Sequence, residues 1–158
     1  MDEIAAVVLA IHLFSAILFI GGSFFMWLVV VPVSYQLAPD EASRTELVGK
    51  IARSFAKWTN PTLAVLILTG LYNASWYLPS TTPLGRELLE VKVVLVGVLV
   101  LSIYVHGLYY GRTISRLARE RKVDKLREVR KRSRFFSMAN LALMVAIVVI
   151  VALMQVYG

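Results

Sequence analysis

The sequence predicts an all-α integral membrane protein built as a four-transmembrane-helix bundle. Of its 158 residues, 58% are hydrophobic, and the mean hydropathy is +0.71. Only 17% are charged, and these residues are gathered in a few segments. The stretch from Ile4 to Val31 has no charged side chain in 28 residues. Because a bilayer core of about 30 Å needs about 20 apolar residues in a helix, this stretch is long enough to span a membrane.

Four such stretches follow one another, in a single predicted domain covering residues 1–158. Asp40 or Ser43 is the expected cap of a helix that runs along the membrane surface into the second span. Pro61 is expected in the first turn of that span, where its missing N–H costs little. The basic segment 112–134 is expected to extend the third span as an amphipathic helix. The predicted spans are 4–31, 60–78, 88–111 and 135–157.

The basic residues set the expected orientation. Segments 36–57 and 112–134 together hold 15 of the 17 Lys and Arg residues. The positive-inside rule then makes both segments cytoplasmic loops and places both termini outside, in a multi-pass protein of the cytoplasmic membrane. This also accounts for the net charge of +7. We expect contact with anionic lipid at these loops and no binding of nucleic acid.

A faint internal similarity favours a two-plus-two repeat. Residues 53–67 resemble residues 132–147. In each segment an aromatic residue is followed five positions later by an asparagine, as Phe55 and Asn60 and as Phe135 and Asn140. The alternative is that the two segments are similar by coincidence, because both are helix starts.

Two histidines carry the candidate chemistry. The chain has no cysteine, which excludes disulfides and thiolate metal sites. His12 lies in the first span and His106 in the third, and an ionisable group at membrane depth points to a functional site. Two neutral imidazoles on different helices of a bundle are what bis-histidine ligation of haem b requires. His12 and His106 are therefore the predicted metal ligands.

Small and polar residues surround the two histidines in the predicted helices. Two of them continue the His12 face of the first span, one precedes His106 by a helical turn, one lies on a polar face of the second span, and one is a lysine near the start of the third. Small residues let a helix or a flat ligand approach closely. The lysine either anchors the membrane interface or contacts substrate propionates. The candidate cofactor-binding residues are His12, His106, Ser15, Gly22, Ser102, Asn73 and Lys92.

Three interpretations of the histidines stay open at this point. A single haem held by both histidines needs the two side chains at nearly equal depth in the membrane, which requires the spans to begin at other residues than those predicted. Otherwise the protein has two separate metal sites, or one histidine is not a ligand. Copper is the competing metal, since Cu(I) favours imidazole and thioether ligands. Met138, Met144 and Met154 are scattered, however, as core methionines would be. In the third interpretation the histidines only join neighbouring helices.

The order of these residues resembles two related membrane families. His12, Gly21, Gly22 and Pro32 resemble the membrane domain of copper-resistance D (CopD-like) proteins. Asn60-Pro61, Gly70, Lys92, His106-Gly107 and the stretch RSRFFSMAN ending at Asn140 resemble the HemJ-like protoporphyrinogen oxidases. The resemblance implies a four-helix membrane bundle that binds haem b. For the HemJ-like branch it also implies oxidation of protoporphyrinogen IX and self-association into a homo-oligomer.

The expected function is that of a haem b-binding redox protein of the membrane. Its partner would be a lipid-soluble substrate, either a porphyrinogen in a protoporphyrinogen oxidase-like reaction or a quinone in electron transfer. The alternatives are a copper-handling membrane protein and a structural membrane protein without a cofactor.

Overall fold

The structure is a computed structural model that describes residues 3–79 and 81–157. The described residues form four long helical segments joined by short connections, with no β-strand among them. The predicted all-α class is confirmed. The segments are α1 (Glu3–Leu37), α2 (Glu41–Tyr77), α3 (Pro83–Arg119) and α4 (Val123–Tyr157).

Two of these segments contain a short π-helical insertion. In α1, residues Met26–Val30 separate the α-helical parts Glu3–Phe25 and Val31–Leu37. In α3, the insertion is Gly107–Gly111. Insertions of this type are rare and occur frequently at functional sites. The second one directly follows His106. The α-helical parts of α3 are Pro83–His106 and Arg112–Arg119.

Side-chain caps fix where two of the segments begin. Asp40 accepts hydrogen bonds from the backbone N–H groups of Ala42 and Ser43, each at 2.9 Å, so Asp40 is the predicted cap of α2. The Thr82 hydroxyl oxygen accepts from the Gly85 N–H at 3.0 Å and starts α3. Capping bonds of this kind satisfy N–H groups that have no partner within the helix.

Two sequence-based details of the helices were wrong. Pro61 lies inside α2 and not in its first turn, because the helix already begins at Glu41. Proline is tolerated within helices of membrane proteins, where neighbouring groups satisfy the freed carbonyl. The basic helix does not continue through residue 134 either. It ends at Arg119, and Arg121 adopts a φ of 52°, which turns the chain into α4.

The helices pack in two antiparallel pairs, α1 with α2 and α3 with α4. The Thr82 hydroxyl donates to the Tyr157 carbonyl at 2.7 Å, which ties the start of α3 to the end of α4. We call the end of the molecule that holds Glu3, Tyr77, Pro83 and Tyr157 the terminal end. The opposite end, which holds the connections α1–α2 and α3–α4, is the basic end.

All four helices contribute to one apolar layer midway between the two ends. Its buried members lie at similar distances along their helices, and Ile20, Leu66 and Val100 pack against them. The layer divides the interior of the molecule into two parts. Its buried members are Phe19, Leu63, Leu99, Leu141 and Met144.

The protein is a multi-pass membrane protein. Within the described residues, α1, α3 and α4 are long and apolar enough to cross a membrane. Large apolar side chains on their outer faces are exposed, Leu28 to 70% and Leu101 to 66%, as expected for helices that contact lipid. The segment α2 is not among these three, because the residues near Lys57 and Asn60 lower its mean hydropathy.

Candidate functional site

His12 lies in the part of the interior nearest the terminal end, facing α2. Its Nδ1 is 3.0 Å from the Thr69 hydroxyl oxygen. That hydroxyl donates its only hydrogen to the Val65 carbonyl at 2.7 Å, so it can only accept from the imidazole. The hydrogen bond therefore places the proton on Nδ1 and leaves the lone pair on Nε2. Histidines that bind metals usually donate from the second ring nitrogen in this way.

Three further residues define the surroundings of His12. A Cβ at Gly70 would lie 3.0 Å from Cε1 of His12, so the glycine lets the ring approach the α2 backbone. The charge of Lys92 on α3 is close enough to act on the imidazole. Asn73 lies one helical turn beyond Thr69, and its buried Nδ2 has no hydrogen-bond partner among the described residues. We call His12, Thr69, Gly70, Asn73 and Lys92 the His12 site.

His106 lies on the other side of the apolar layer and is held by α4. Its Nε2 is 3.1 Å from the Ser133 carbonyl and 2.9 Å from the Ser133 hydroxyl. Since a carbonyl only accepts, Nε2 carries the proton. The ring also packs against Tyr110 and Phe136, with centroids 5.3 and 6.4 Å away. These contacts are those of a histidine that joins two helices.

The structure does not bring the two histidines together. His12 is about 14 Å along α1 from the terminal end, and His106 is about 35 Å along α3 from the same end. They belong to different helix pairs, and the apolar layer lies between them. A single haem held by both imidazoles does not fit this arrangement. Of the open alternatives, the geometry favours two separate sites or a structural role for His106.

The remaining predicted site residues have separate surroundings. Ser15 is buried on α1, one turn from His12. Gly22 faces the ring of Phe55, which occupies the space that a larger side chain would need. The Ser102 hydroxyl donates to Oδ1 of Asn140 at 2.6 Å and joins α3 to α4. Gly22 and Ser102 thus contact neighbouring helices, whereas Asn73 and Lys92 belong to the His12 site.

A charged cluster connects the two helix pairs at the basic end. Glu41 at the start of α2 forms ion pairs with Arg130 of α4 and with Arg44. Partial burial opposes ionisation of Glu41, but the two guanidinium groups outweigh it and hold the pKa of this carboxyl below its usual range. Arg134 of α4 also donates to the Tyr35 hydroxyl at 2.7 Å. The cluster fixes the relative positions of the two pairs.

The model of one protein family, copper resistance protein D, matches residues 49–154, more than half of the chain. The chain belongs to the copper resistance protein D family. Comparison with curated proteins and with solved structures gives no match. The family match confirms the CopD-like resemblance seen in the sequence. It covers Asn73, Lys92, Ser102 and His106, whereas His12, Ser15 and Gly22 precede it.

Membership of the copper resistance protein D family supports the copper-handling alternative. Neither the match nor the geometry supports haem binding or protoporphyrinogen oxidation, and those functions stay predictions from the sequence. No cluster of three or more His, Cys, Asp or Glu side chains occurs within residues 3–79 and 81–157. A closed metal site made only from these residue types is therefore not formed by this part of the chain.

Sequence reasoning missed several residues that position the site. Thr69 shares the polar face of the second span with Asn73 but is not among the candidate residues, although it sets the tautomer of His12. Ser133 was not singled out as the partner of His106. Glu41 and Arg130 are 89 positions apart, and no local pattern relates them. Of these, only Thr69 had a usable signal, namely its helical spacing from Asn73.

Proposed function

We propose that this protein handles copper ions in the membrane, with copper as its cargo. The observation that carries the proposal is the match of residues 49–154 to the copper resistance protein D family. The ion would be taken up at the His12 site. Imidazole is among the ligands that copper prefers, and Cu(I) also accepts thioether sulfur.

The tautomer of His12 supports its role as a copper ligand. Thr69 holds the Nδ1–H, so the Nε2 lone pair is available without loss of a proton. At His106 the corresponding Nε2 instead donates to Ser133. His12 is therefore the better ligand of the two. Met144 and Met154 on α4 are buried, and Met144 is a member of the apolar layer.

Lys92 on α3 is the basic member of the His12 site and is half-buried. No acidic side chain forms an ion pair with Lys92 among the described residues.

The proposal is tested by metal analysis of the detergent-purified protein after incubation with Cu(I) under reducing conditions. We expect His12→Ala to lose at least half of the bound copper. His106→Ala is the matched control and should keep its copper, although its thermal stability falls. Equal copper retention by the wild type and His12→Ala would overturn the proposal. An oxidised-minus-reduced absorption spectrum of the same preparation tests the haem prediction, because haem b gives a sharp reduced α band.

We also propose that α2 crosses the membrane as a fourth span, with the basic end in the cytoplasm and both termini outside. The concentration of Lys and Arg at the α1–α2 and α3–α4 connections supports this orientation. The membrane would be the cytoplasmic membrane, with anionic lipid at the basic connections. Self-association and a lipid-soluble redox partner stay predictions from the sequence.

The absence of cysteine makes the orientation easy to test. Single cysteines are introduced as Lys131→Cys at the basic end and Leu84→Cys at the terminal end. In intact cells an impermeant maleimide should label Leu84→Cys, whereas Lys131→Cys should require permeabilised cells. The reverse pattern would refute the orientation.

A further inference from the structure

A cavity of about 330 Å³ opens at the basic end, between the end of α3 and the start of α4. Two tyrosines, Tyr109 and Tyr110, line one side of it. Three basic side chains also line it, Arg116 from α3 together with Lys125 and Arg132 from α4, and the remaining lining residues are Leu117, Glu128 and Val129. The volume corresponds to about ten water molecules, so the cavity is large enough for a polar headgroup.

The charges around this cavity do not cancel. Glu128 is the acidic side chain in its lining, and it pairs with Arg132 at 2.8 Å. Within the described part of the chain, Arg116 and Lys125 have no carboxylate within 4.0 Å. Glu120 pairs with Lys122 at 2.7 Å, and the charges of Arg116 and Lys125 also act on it. The side chains that line the cavity carry three positive charges and one negative charge, so the lining has a net charge of +2.

The cavity lies where a membrane-spanning α3 would leave the hydrocarbon. Tyr109 is about 39 Å along the helix from Pro83, which exceeds the hydrocarbon thickness of about 30 Å but stays within the headgroup region. The Tyr109 side chain is 64% exposed, and its ring meets that of Tyr110 edge-on at 5.1 Å. Tyrosine is enriched at this depth because its ring is apolar and its hydroxyl is polar. Arg112, directly after the π-helical insertion, is the first of three arginines at the basic end of α3.

We propose that this cavity binds a phosphate group, carried at the membrane boundary by the headgroup of an anionic phospholipid. Arg116 and Lys125 supply charge-assisted hydrogen bonds to the phosphate oxygens. Tyr109 lies beside the glycerol and the first part of the acyl chains. The inference rests on the membrane placement proposed above and is independent of copper.

The test measures binding of phosphatidylglycerol to the full-length protein by native mass spectrometry in detergent. The comparison lipid is phosphatidylcholine, a zwitterion whose phosphate charge is cancelled within the headgroup by its quaternary ammonium group. The perturbed variant is Arg116→Gln/Lys125→Gln. Its matched control is Arg127→Gln/Lys131→Gln, which removes one Arg and one Lys from exposed positions of α4 that do not line the cavity. A parallel arm adds inorganic phosphate as a competitor.

We expect the perturbed variant to bind phosphatidylglycerol about thirtyfold more weakly, since each basic residue near a membrane surface contributes about a factor of five. The control should change affinity less than threefold. Competition by millimolar phosphate would support recognition of the lipid through its phosphate group. Equal weakening by both variants, or equal binding of phosphatidylcholine, would overturn the proposal. Copper retention is measured on the same variant. If Arg116→Gln/Lys125→Gln loses lipid binding but keeps its copper, the lipid result is independent of the copper proposal.

Discussion

Gly22 offers the sharpest test of the packing between α1 and α2. A Cβ at this position would lie 2.5 and 2.6 Å from two ring atoms of Phe55. Because carbon atoms pack best at about 3.5–4.0 Å, Gly22→Ala requires the ring to move by about 1 Å. At Gly21, the preceding residue, a Cβ would meet nothing within 4 Å. The two substitutions therefore differ in one contact.

The expected size of the effect follows from this comparison. Both changes gain up to about 1 kcal/mol of helix propensity, which cancels in the difference. Overpacking against the ring costs about 1–3 kcal/mol, and that cost falls on Gly22→Ala alone. At about 2–4 °C per kcal/mol for a chain of this size, the midpoint of thermal unfolding should be several degrees lower for Gly22→Ala than for Gly21→Ala.

The assay is thermal unfolding in detergent, followed by circular dichroism, for both variants and for the double variant Gly22→Ala/Phe55→Ala. Removing the ring should abolish the penalty, so the two changes should be strongly non-additive in a double-mutant cycle. Copper retention should be the same for Gly21→Ala and Gly22→Ala, since neither change reaches His12. Equal midpoints for the two glycine variants, or additive effects in the cycle, would refute the packing argument.

Three further outcomes follow from other contacts. Gly70→Ala would place a Cβ 3.0 Å from the His12 ring, and we expect a severalfold loss of copper affinity with little change in thermal stability, checked by Cu(I) titration. Glu41→Gln breaks the ion pair with Arg130 and should lower the free energy of unfolding by about 1–2 kcal/mol. Because the pKa of Glu41 is held below its ordinary value of 4.5, this stabilisation is complete above pH 4.5 and is lost as the pH falls through the lowered pKa. Acidification should therefore lower the unfolding midpoint of the wild type more than that of Glu41→Gln. Equal decreases in the two proteins would contradict this. Ser102→Ala leaves a buried amide oxygen without its donor and should cost about 1–3 kcal/mol, measured by thermal unfolding against the exposed control Ser75→Ala.

The helical class and the Asp40 cap could be predicted because both have local signals. Uncharged runs that are long enough, as helices, to cross a bilayer core indicate membrane-spanning helices. Asp40 follows a proline and precedes a helical pattern, which is typical of a helix cap. The place of Pro61 could not be predicted in the same way. The helical residues on its N-terminal side, 41–60, mix polar and apolar side chains. No local signal therefore marks the point at which the membrane span begins within a continuous helix.

The candidate site was only partly predictable for a related reason. Spacing along one helix places Thr69 and Asn73 on one face, but it does not tell which neighbouring helix that face meets. His12 and His106 looked alike in sequence because both interrupt apolar runs. Their different roles depend on hydroxyl and carbonyl partners that lie 57 and 27 positions away. Such partners follow from helix pairing, which no single segment encodes.

The apolar layer of the four helices has an electrical consequence. The side chains of this layer are apolar and uncharged, and an apolar layer of this kind holds most of the voltage across a membrane. One elementary charge that crosses 100 mV changes its free energy by about 2.3 kcal/mol. In the proposed orientation a monovalent cation moving from the His12 side to the basic end moves toward the negative cytoplasm. The resting voltage alone would then favour inward movement by about fiftyfold. At 100 mV, inward movement would need no other energy source until the inner concentration exceeds the outer one by about fiftyfold.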